Sequence, residues 1–296
     1  MYGICKFCLV QVRNEPDERS ELVTQLLFGD VYEIIEGSQD KKWFKIKISY
    51  DNYIGWIDAK LHFEISEDFY DQYLMTQHPI CYDSNNWLVW GIEKREVFPI
   101  VAGSTLPFYS PQKISDKKIK KTDRIKKKNQ KHPSNFLFGL INAFGSGKTG
   151  DETYEFEGTV LLPGKRNNIK FLMITALEFY GAPYLWGGKT VFGTDCSGFL
   201  QQIFKICGYD LPRDAHQQAK HGQIVNSYKD SQPGDIAFFE NSEGKISHVG
   251  IIMVKNLVLH ASQHVKFNNI DAKGIFNKET KAYSHNLKLI KRIFIK

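Results

Sequence analysis

The chain has 296 residues, of which 42% are hydrophobic, 14% aromatic and 24% charged. That balance excludes disorder throughout and suits a folded soluble protein of about two or three domains. No apolar run approaches the ~20 residues that span a bilayer, since stretches such as Gly250-Ile251-Ile252-Met253-Val254 end after a few positions, so an integral helical membrane protein is excluded as well. The net charge of +6 is local: Lys113 to Lys131 holds ten Lys and Arg against two acids, and 29 basic residues face 31 acidic ones elsewhere.

The N-terminus, MYGICKFCLVQVRNEPDE, lacks a basic stretch followed by a long apolar one and a small-residue cleavage site, so a cytoplasmic location is expected unless the chain has been trimmed. The five cysteines form an odd, scattered set, which argues against a disulfide framework. Cys5 and Cys8 make a C-x-x-C without a second pair or nearby histidine, so two packed thiols are expected rather than a metal or redox site. No cofactor is called for.

Residues 1–66 read as short strands divided by turns: Cys8 to Val12, Val23 to Phe28, Val31 to Ile35, Trp43 to Ile48 and Tyr53 to Ile57. Five strands in so few residues suggest a small closed barrel. The order VRNEPDERSELVTQLLFGDVYEIIEG, KKWFKIKI and YIGWID resembles a bacterial SH3-like domain. Residues 80–165 repeat the texture with Trp87 to Gly91, Phe98 to Val101, Thr105 to Tyr109 and Thr153 to Val160, which fits a second such barrel with an insertion at about 112–150.

The lysine-rich run in that insertion reads as a solvated segment. Without an aromatic residue it has no base-stacking platform, and no specific nucleic-acid partner is expected. Gly145-Ser146-Gly147-Lys148-Thr149 invites a phosphate-loop reading, but Asn142 stands where the first glycine belongs, so a loop is expected.

From residue 166 to 296 the pattern changes. Ile169, Leu172, Met173, Ala176, Leu177 and Tyr180 share a helical face that ends at Gly181 and Pro183. Phe199, Leu200, Ile203, Phe204 and Cys207 keep helical spacing up to Gly208, which puts Cys196 at a helix N-terminus, where unpaired amides favour a thiolate. Asp235 to Phe239, Ser247 to Ile252 and Leu257 to Ala261 read as consecutive strands, so His248 and His260 lie on neighbours. One imidazole can then take the Cys196 proton while the other holds it by a ring hydrogen bond.

Asp195-Cys196-Ser197-Gly198 at a helix start, Pro233-Gly234-Asp235 before a strand, Ser247-His248-Val249-Gly250-Ile251 and Leu259-His260-Ala261 together closely resemble the NlpC-type cell-wall cysteine peptidases. The resemblance implies an α+β, papain-like cysteine peptidase domain preceded by two small SH3-like β-barrels. It makes Cys196 the nucleophile, His248 the general base and acid, and His260 the orienting residue. Tyr184, in the Tyr-x-Trp-Gly-Gly turn with Trp186, would approach the oxyanion or the nucleophile, and Asp195 and Ser197 would hold substrate. Packing for Tyr184 and Trp186, and helix capping for Asp195, are the competing roles. Arg213-Asp214 matches the family's Pro-Arg-Asp stretch, with Ala215 where relatives often carry a hydroxyl. His216, His221 and His264 match no motif and read as surface or boundary residues.

A peptidase domain of this kind behind SH3-like barrels, without an export signal, is similar to enzymes that trim imported peptidoglycan peptides. This implies a cysteine endopeptidase cutting the γ-D-glutamyl to diamino-acid bond of stem peptides with a free N-terminal L-Ala. Glu21, with Tyr53 as partner, would bind that amine, and a monomer is favoured. Two rival readings are a cell-wall remodelling hydrolase acting on intact peptidoglycan and a non-catalytic scaffold binding through its SH3-like surfaces.

Overall fold

The computed structural model describes residues 1–83, 86–90, 96–111, 136–143, 152–164, 166–278 and 280–293. The lysine-rich run at 113–131 and the Gly145 to Thr149 segment lie outside the described residues.

The first sheet holds β1 (Tyr2–Ile4), β2 (Leu9–Arg13), β3 (Leu22–Leu27), β4 (Val31–Gly37), β5 (Trp43–Ile48), β6 (Ile54–Asp58) and β7 (Glu64–Ile65), in the order β3-β2-β6-β5-β4-β1-β7. The five strands read from turn signals are all present, and β1 and β7 extend the sheet beyond them. Alternating side chains place Val10, Val12, Leu26, Ile46, Ile48 and Ile57 in a core of their own. Helix α1 (Glu67–Met75), capped by the Ser66 hydroxyl accepting from Phe69 N, then leads away.

The second sheet comprises β8 (Ile80–Cys81), β9 (Asn86–Trp90), β10 (Glu96–Ile100), β11 (Tyr109–Pro111), β12 (Phe136–Ala143) and β13 (Glu152–Leu161), with β10-β9-β13-β12-β11 in order and β8 on β13. Two expectations need correction here. Phe136 to Ala143, assigned to the insertion, is a strand whose eight residues pair with β13 from Phe136↔Thr159 to Ala143↔Glu152. Thr105 to Tyr109 is not a strand: Thr105 makes one bridge to Ile80, and Phe108 sits at φ 49° after Pro107, so the chain turns before β11 begins. Ile4, Phe28, Val31 and Ile65 from the first sheet share a core with Cys81, Leu88, Ile100, Leu106 and Phe156 from the second.

The C-terminal part contains α2 (Ile169–Glu178), β14 (Lys189–Thr190), β15 (Gly193–Thr194), α3 (Cys196–Ile206), α4 (Ala215–Gln218), β16 (Gln223–Val225), β17 (Ile236–Glu240), β18 (Ile246–Val254), β19 (Leu257–Ser262), β20 (His264–Ile270), β21 (Gly274–Asn277) and β22 (Ala282–Arg292). Strand order is β16-β22-β17-β18-β19-β20-β21, and β21 also pairs with β22, so the sheet curls back on itself. Period-two alternation sorts the strands' two faces. Ile236, Phe238, Val249, Ile251 and Leu259 meet the helices, while Ala237, Phe239, Ile252, Val258, Ile270, Ile275 and Ile290 fill the inside of the curl.

Helix α3 is buried on every side. Phe199, Leu200, Ile203 and Phe204 pack into the core shared with the sheet and α2, each contributing about 1.5–3 kcal/mol by burial. Its polar face docks on the N-terminal sheets. Gln201 Nε2 donates to Asp51 Oδ2 at 2.8 Å, Gln202 Nε2 to the Ala102 carbonyl at 3.4 Å, and Lys205 Nζ to Asp30 Oδ1 at 3.1 Å. The helix that begins at Cys196 is therefore held from both faces.

Candidate active site

Cys196 is the first residue of α3, directly after the N-cap Asp195, whose Oδ1 accepts from Gly198 N at 2.7 Å. Gly198 has no Cβ where one would strike the Gly188 carbonyl, so the helix can start close beneath the Tyr184 to Gly188 turn. Asp195 does more than cap. Its Oδ2 accepts from Gly187 N at 2.9 Å, and the buried Arg213 guanidinium grips both oxygens at 3.0 and 2.5 Å. Arg213 also donates to Ser197 Oγ at 2.9 Å and, through Nε, to Thr24 Oγ1 on β3 at 3.1 Å. The Asp195 carboxylate thus meets donors of the protein itself at both oxygens, as a helix cap and ion-pair partner.

On the other side of the thiol, α3 packs on β18, and the backbone amide of Val249, next to His248, faces the Cys196 sulfur. His248 Nε2 lies 2.7 Å from His260 Nδ1, and His260 Nε2 lies 3.0 Å from Asn268 Oδ1 on β20. The direction of this relay follows from its end. An amide oxygen only accepts, so His260 Nε2 carries its proton and its Nδ1 accepts from His248 Nε2–H. Neutral His248 is left with Nδ1 as an unprotonated base. Its ring is also stacked on His285, with centroids 4.2 Å apart and planes inclined at 30°.

Charge states follow burial. Desolvation pushes the Cys196 thiol up to about 12; the Asp195 charge adds to this, and the Val249 amide, Arg213 and the Ser197 amide oppose it. Burial holds His248 well below the ordinary imidazole range, reinforced by His260 and His285. His260 falls to about 4 for the same first reason, against the opposing Asn268 hydrogen bond. Burial thus opposes the thiolate expected at the helix N-terminus, because desolvation of the Cys196 thiol outweighs the amides and the helix dipole.

A cleft of about 420 Å³ opens over Cys196 and gathers residues from both ends of the chain. Tyr184, Trp186, Asp195, Ser197, Asp214, Glu21 and Tyr53 all line it, with Asn14, Val23, Ala215, Ile246 and Ser247. Trp186 Nε1 donates to Glu21 Oε1 at 2.6 Å, and the Tyr53 hydroxyl donates to Asp214 Oδ1 at 3.4 Å. Burial raises the Asp214 carboxyl above its usual range, against the opposing charge of Arg213. Gly187, at φ 76° and with the Leu22 carbonyl where a Cβ would sit, lets the start of β3 approach this turn.

His216, read from sequence as a surface or boundary residue, is exposed but sits on the cleft rim; His221 and His264 are exposed. Cys5 is buried and Cys8 half-buried, both as free thiols, and Cys207 packs in the core at the end of α3. Sequence reading missed the bridging role of Arg213, the terminal acceptor Asn268 and the stacked His285. Arg213 stood in a recognised motif, whereas no local signal marked the other two.

Comparison with known proteins matches residues 181–284 to the NlpC/P60 family and residues 12–60 to the bacterial dipeptidyl-peptidase Sh3 domain. A gamma-D-glutamyl-L-lysine dipeptidyl-peptidase of Bacillus subtilis (strain 168) is 49% identical over 89 residues, covering 29% of this chain and 30% of the relative. The enzyme of that name from Bacillus cereus (strain ATCC 10987 / NRS 248) is 37% identical over 92 residues, 30% of this chain and 27% of the relative. The chain thus spans about a third of the length of the curated relatives it matches. Among solved structures, an NlpC/P60 family protein from Bacillus cereus ATCC 10987 shares the fold over 99% of both chains, with a TM-score of 0.74 and 18% identity. An NlpC/P60 endopeptidase from Photobacterium damselae subsp. piscicida superposes over 98% of this chain and 65% of its own, with a TM-score of 0.59 and 21% identity. The cleft over Cys196 accordingly lies between the residues that match the bacterial dipeptidyl-peptidase Sh3 domain and those that match the NlpC/P60 family.

Proposed function

We propose that the chain is a cysteine endopeptidase that cuts the γ-D-glutamyl to diamino-acid bond of peptidoglycan stem peptides with a free N-terminal L-Ala, in the recycling of murein peptides in the cytoplasm. The domain divisions at 1–66, 80–165 and 166–296, with the second sheet as a second SH3-like barrel, belong to the same proposal. The observation that carries it is the cleft itself: Glu21, Tyr53 and Asp214 stand on the side of the first sheet and α4, in the same cavity as Cys196. Two carboxylates and a phenol in a half-closed space suit a primary ammonium. A blocked N-terminus would leave the two carboxylates facing the cleft with only the neutral donors Trp186 and Tyr53. The names of the two Bacillus relatives support the same bond.

In the reaction, Cys196 Sγ attacks the γ-carbonyl carbon of D-glutamate while its proton passes to His248 Nδ1. Tyr184 donates to the developing oxyanion. The C–N bond then breaks, and His248 returns the proton to the departing amine of the diamino acid. Water, deprotonated by the same imidazole, hydrolyses the thioester and releases L-Ala-D-Glu. His260 and Asn268 fix the ring throughout.

The test is hydrolysis of L-Ala-γ-D-Glu-L-Lys and its diaminopimelate counterpart by the full chain, with Cys196→Ala as control. Cleavage of both free peptides, or of one, with the N-acetylated peptide left intact is the expected result. Equal cleavage of the acetylated peptide removes the amine clamp, and release of fragments from intact sacculi favours wall remodelling.

A further inference from the structure

The stack of His285 on His248 is used by neither the fold nor the proton relay described above. His285 lies on β22, two strands from His248 in the order β22-β17-β18, yet the curl of the sheet brings the rings to 4.2 Å at 30°. The groups around it come from every neighbouring strand. Phe239 on β17 is at 6.0 Å and 64°, His260 on β19 is T-shaped at 5.8 Å, and Ile275 on β21 is its register partner. Lys266 on β20 contributes a positive charge, and on its own strand Ser284 Oγ lies 2.9 Å from His285 Nδ1. No carboxylate is among these neighbours in the described residues.

We propose that His285 is a positioning residue for His248: its ring fixes the plane of the base, and its charge state sets the lower pH limit of activity. The inference rests on the reading of Cys196 and His248 as nucleophile and base. When His248 receives the thiol proton it becomes a cation face to face with His285. A neutral imidazole tolerates that cation through its π-face. A protonated one repels it across a stack shielded from water. His285 is half-buried, whereas His248 and His260 are buried, so His285 is the first of the three to take a proton as pH falls. Burial and Lys266 hold its own basicity down, which keeps it neutral in the working range.

The experiment compares the full chain with His285→Phe, which keeps a stacking ring without a titrating group, and His285→Ala, which removes both. Two readouts are followed against pH: kcat/KM on the free stem peptide, and the rate of iodoacetamide alkylation at Cys196 located by mass spectrometry. In His285→Phe the acid limb of both profiles moves to lower pH by about one unit or less, with activity near neutrality kept. In His285→Ala both rates fall roughly tenfold or more. Superimposable acid limbs for His285→Phe and the parent overturn the proposal, as does a lowered melting temperature with an unmoved limb. Should His285→Ala fail to fold, the His285→Phe profile decides alone. Alkylation needs no substrate, so a shifted alkylation limb in a chain that leaves every stem peptide uncut defeats the substrate reading and spares this one.

Discussion

At Cys196 burial favours the neutral thiol, because its desolvation exceeds what the neighbouring amides return. Cys196→Ala is therefore expected to abolish hydrolysis while leaving the melting temperature within a few degrees of the parent. Glu21→Gln is expected to raise KM by about tenfold and to change kcat little, since it removes a charge-assisted contact made equally in ground and transition states; steady-state kinetics on the free peptide measures the split. The histidine pair also imposes a pH dependence on stability. An unfolded histidine titrates near 6.5, whereas folded His260 titrates at about 4. The unfolded chain binds protons first, so the stability conferred by the neutral pair is complete above 6.5 and drains away as pH falls toward 4. The loss is on the order of 3 kcal/mol. Denaturant titrations at pH 7 and pH 4.5 should show it, and His260→Gln should flatten the difference.

At the scale of elements, α3 joins Cys196 to the core. Phe199→Ala, at a fully buried position, is expected to cost about 3–5 kcal/mol, read as a lower denaturant midpoint with an unchanged slope. The helix was legible from its apolar spacing and from Gly208. Its burial on the polar side was not, because the partners of Gln201, Gln202 and Lys205 are 150, 100 and 175 residues away in sequence. The same distinction separates His260 from Asn268 and His285. His248 and His260 stand on consecutive strands joined by a tight turn, so alternation alone predicts their meeting. Asn268 is a diagonal neighbour of His260 on β20, a strand the turn signals did not mark, and His285 reaches His248 across β17 where the sheet curls, a closure that no local pattern encodes. Phe136 to Ala143 was misassigned for a related reason: its apolar run lies against a charged segment, and only its pairing with β13 declares it a strand.

Across the whole molecule, buried charge ties the N-terminal sheets to α3. Asp30 meets Lys205 at 3.1 Å and Lys189 at 3.7 Å, all three nearly inaccessible to solvent. Burial alone would raise the Asp30 carboxyl, but the two ammonium groups and the Leu27 amide more than reverse this, and it lies below the usual carboxylate range. Its contribution is present above about 3.9 and is lost as pH falls through the folded value. Lys205→Met is expected to destabilise the chain by about 3–5 kcal/mol, because it leaves a desolvated carboxylate with only the more distant Lys189, and thermal unfolding at pH 7 measures the loss. Arg213 extends the same tie to the cleft, one guanidinium clasping Thr24 on the first sheet and the Asp195 cap of α3. Swinging the first domain aside would break the Arg213 bond to Thr24 together with the buried pairs of Asp30 with Lys205 and Lys189. Under the proposed function, a cleft kept at this bore admits short, loose peptides by their amino end and turns away a glycan strand carrying its stems sideways.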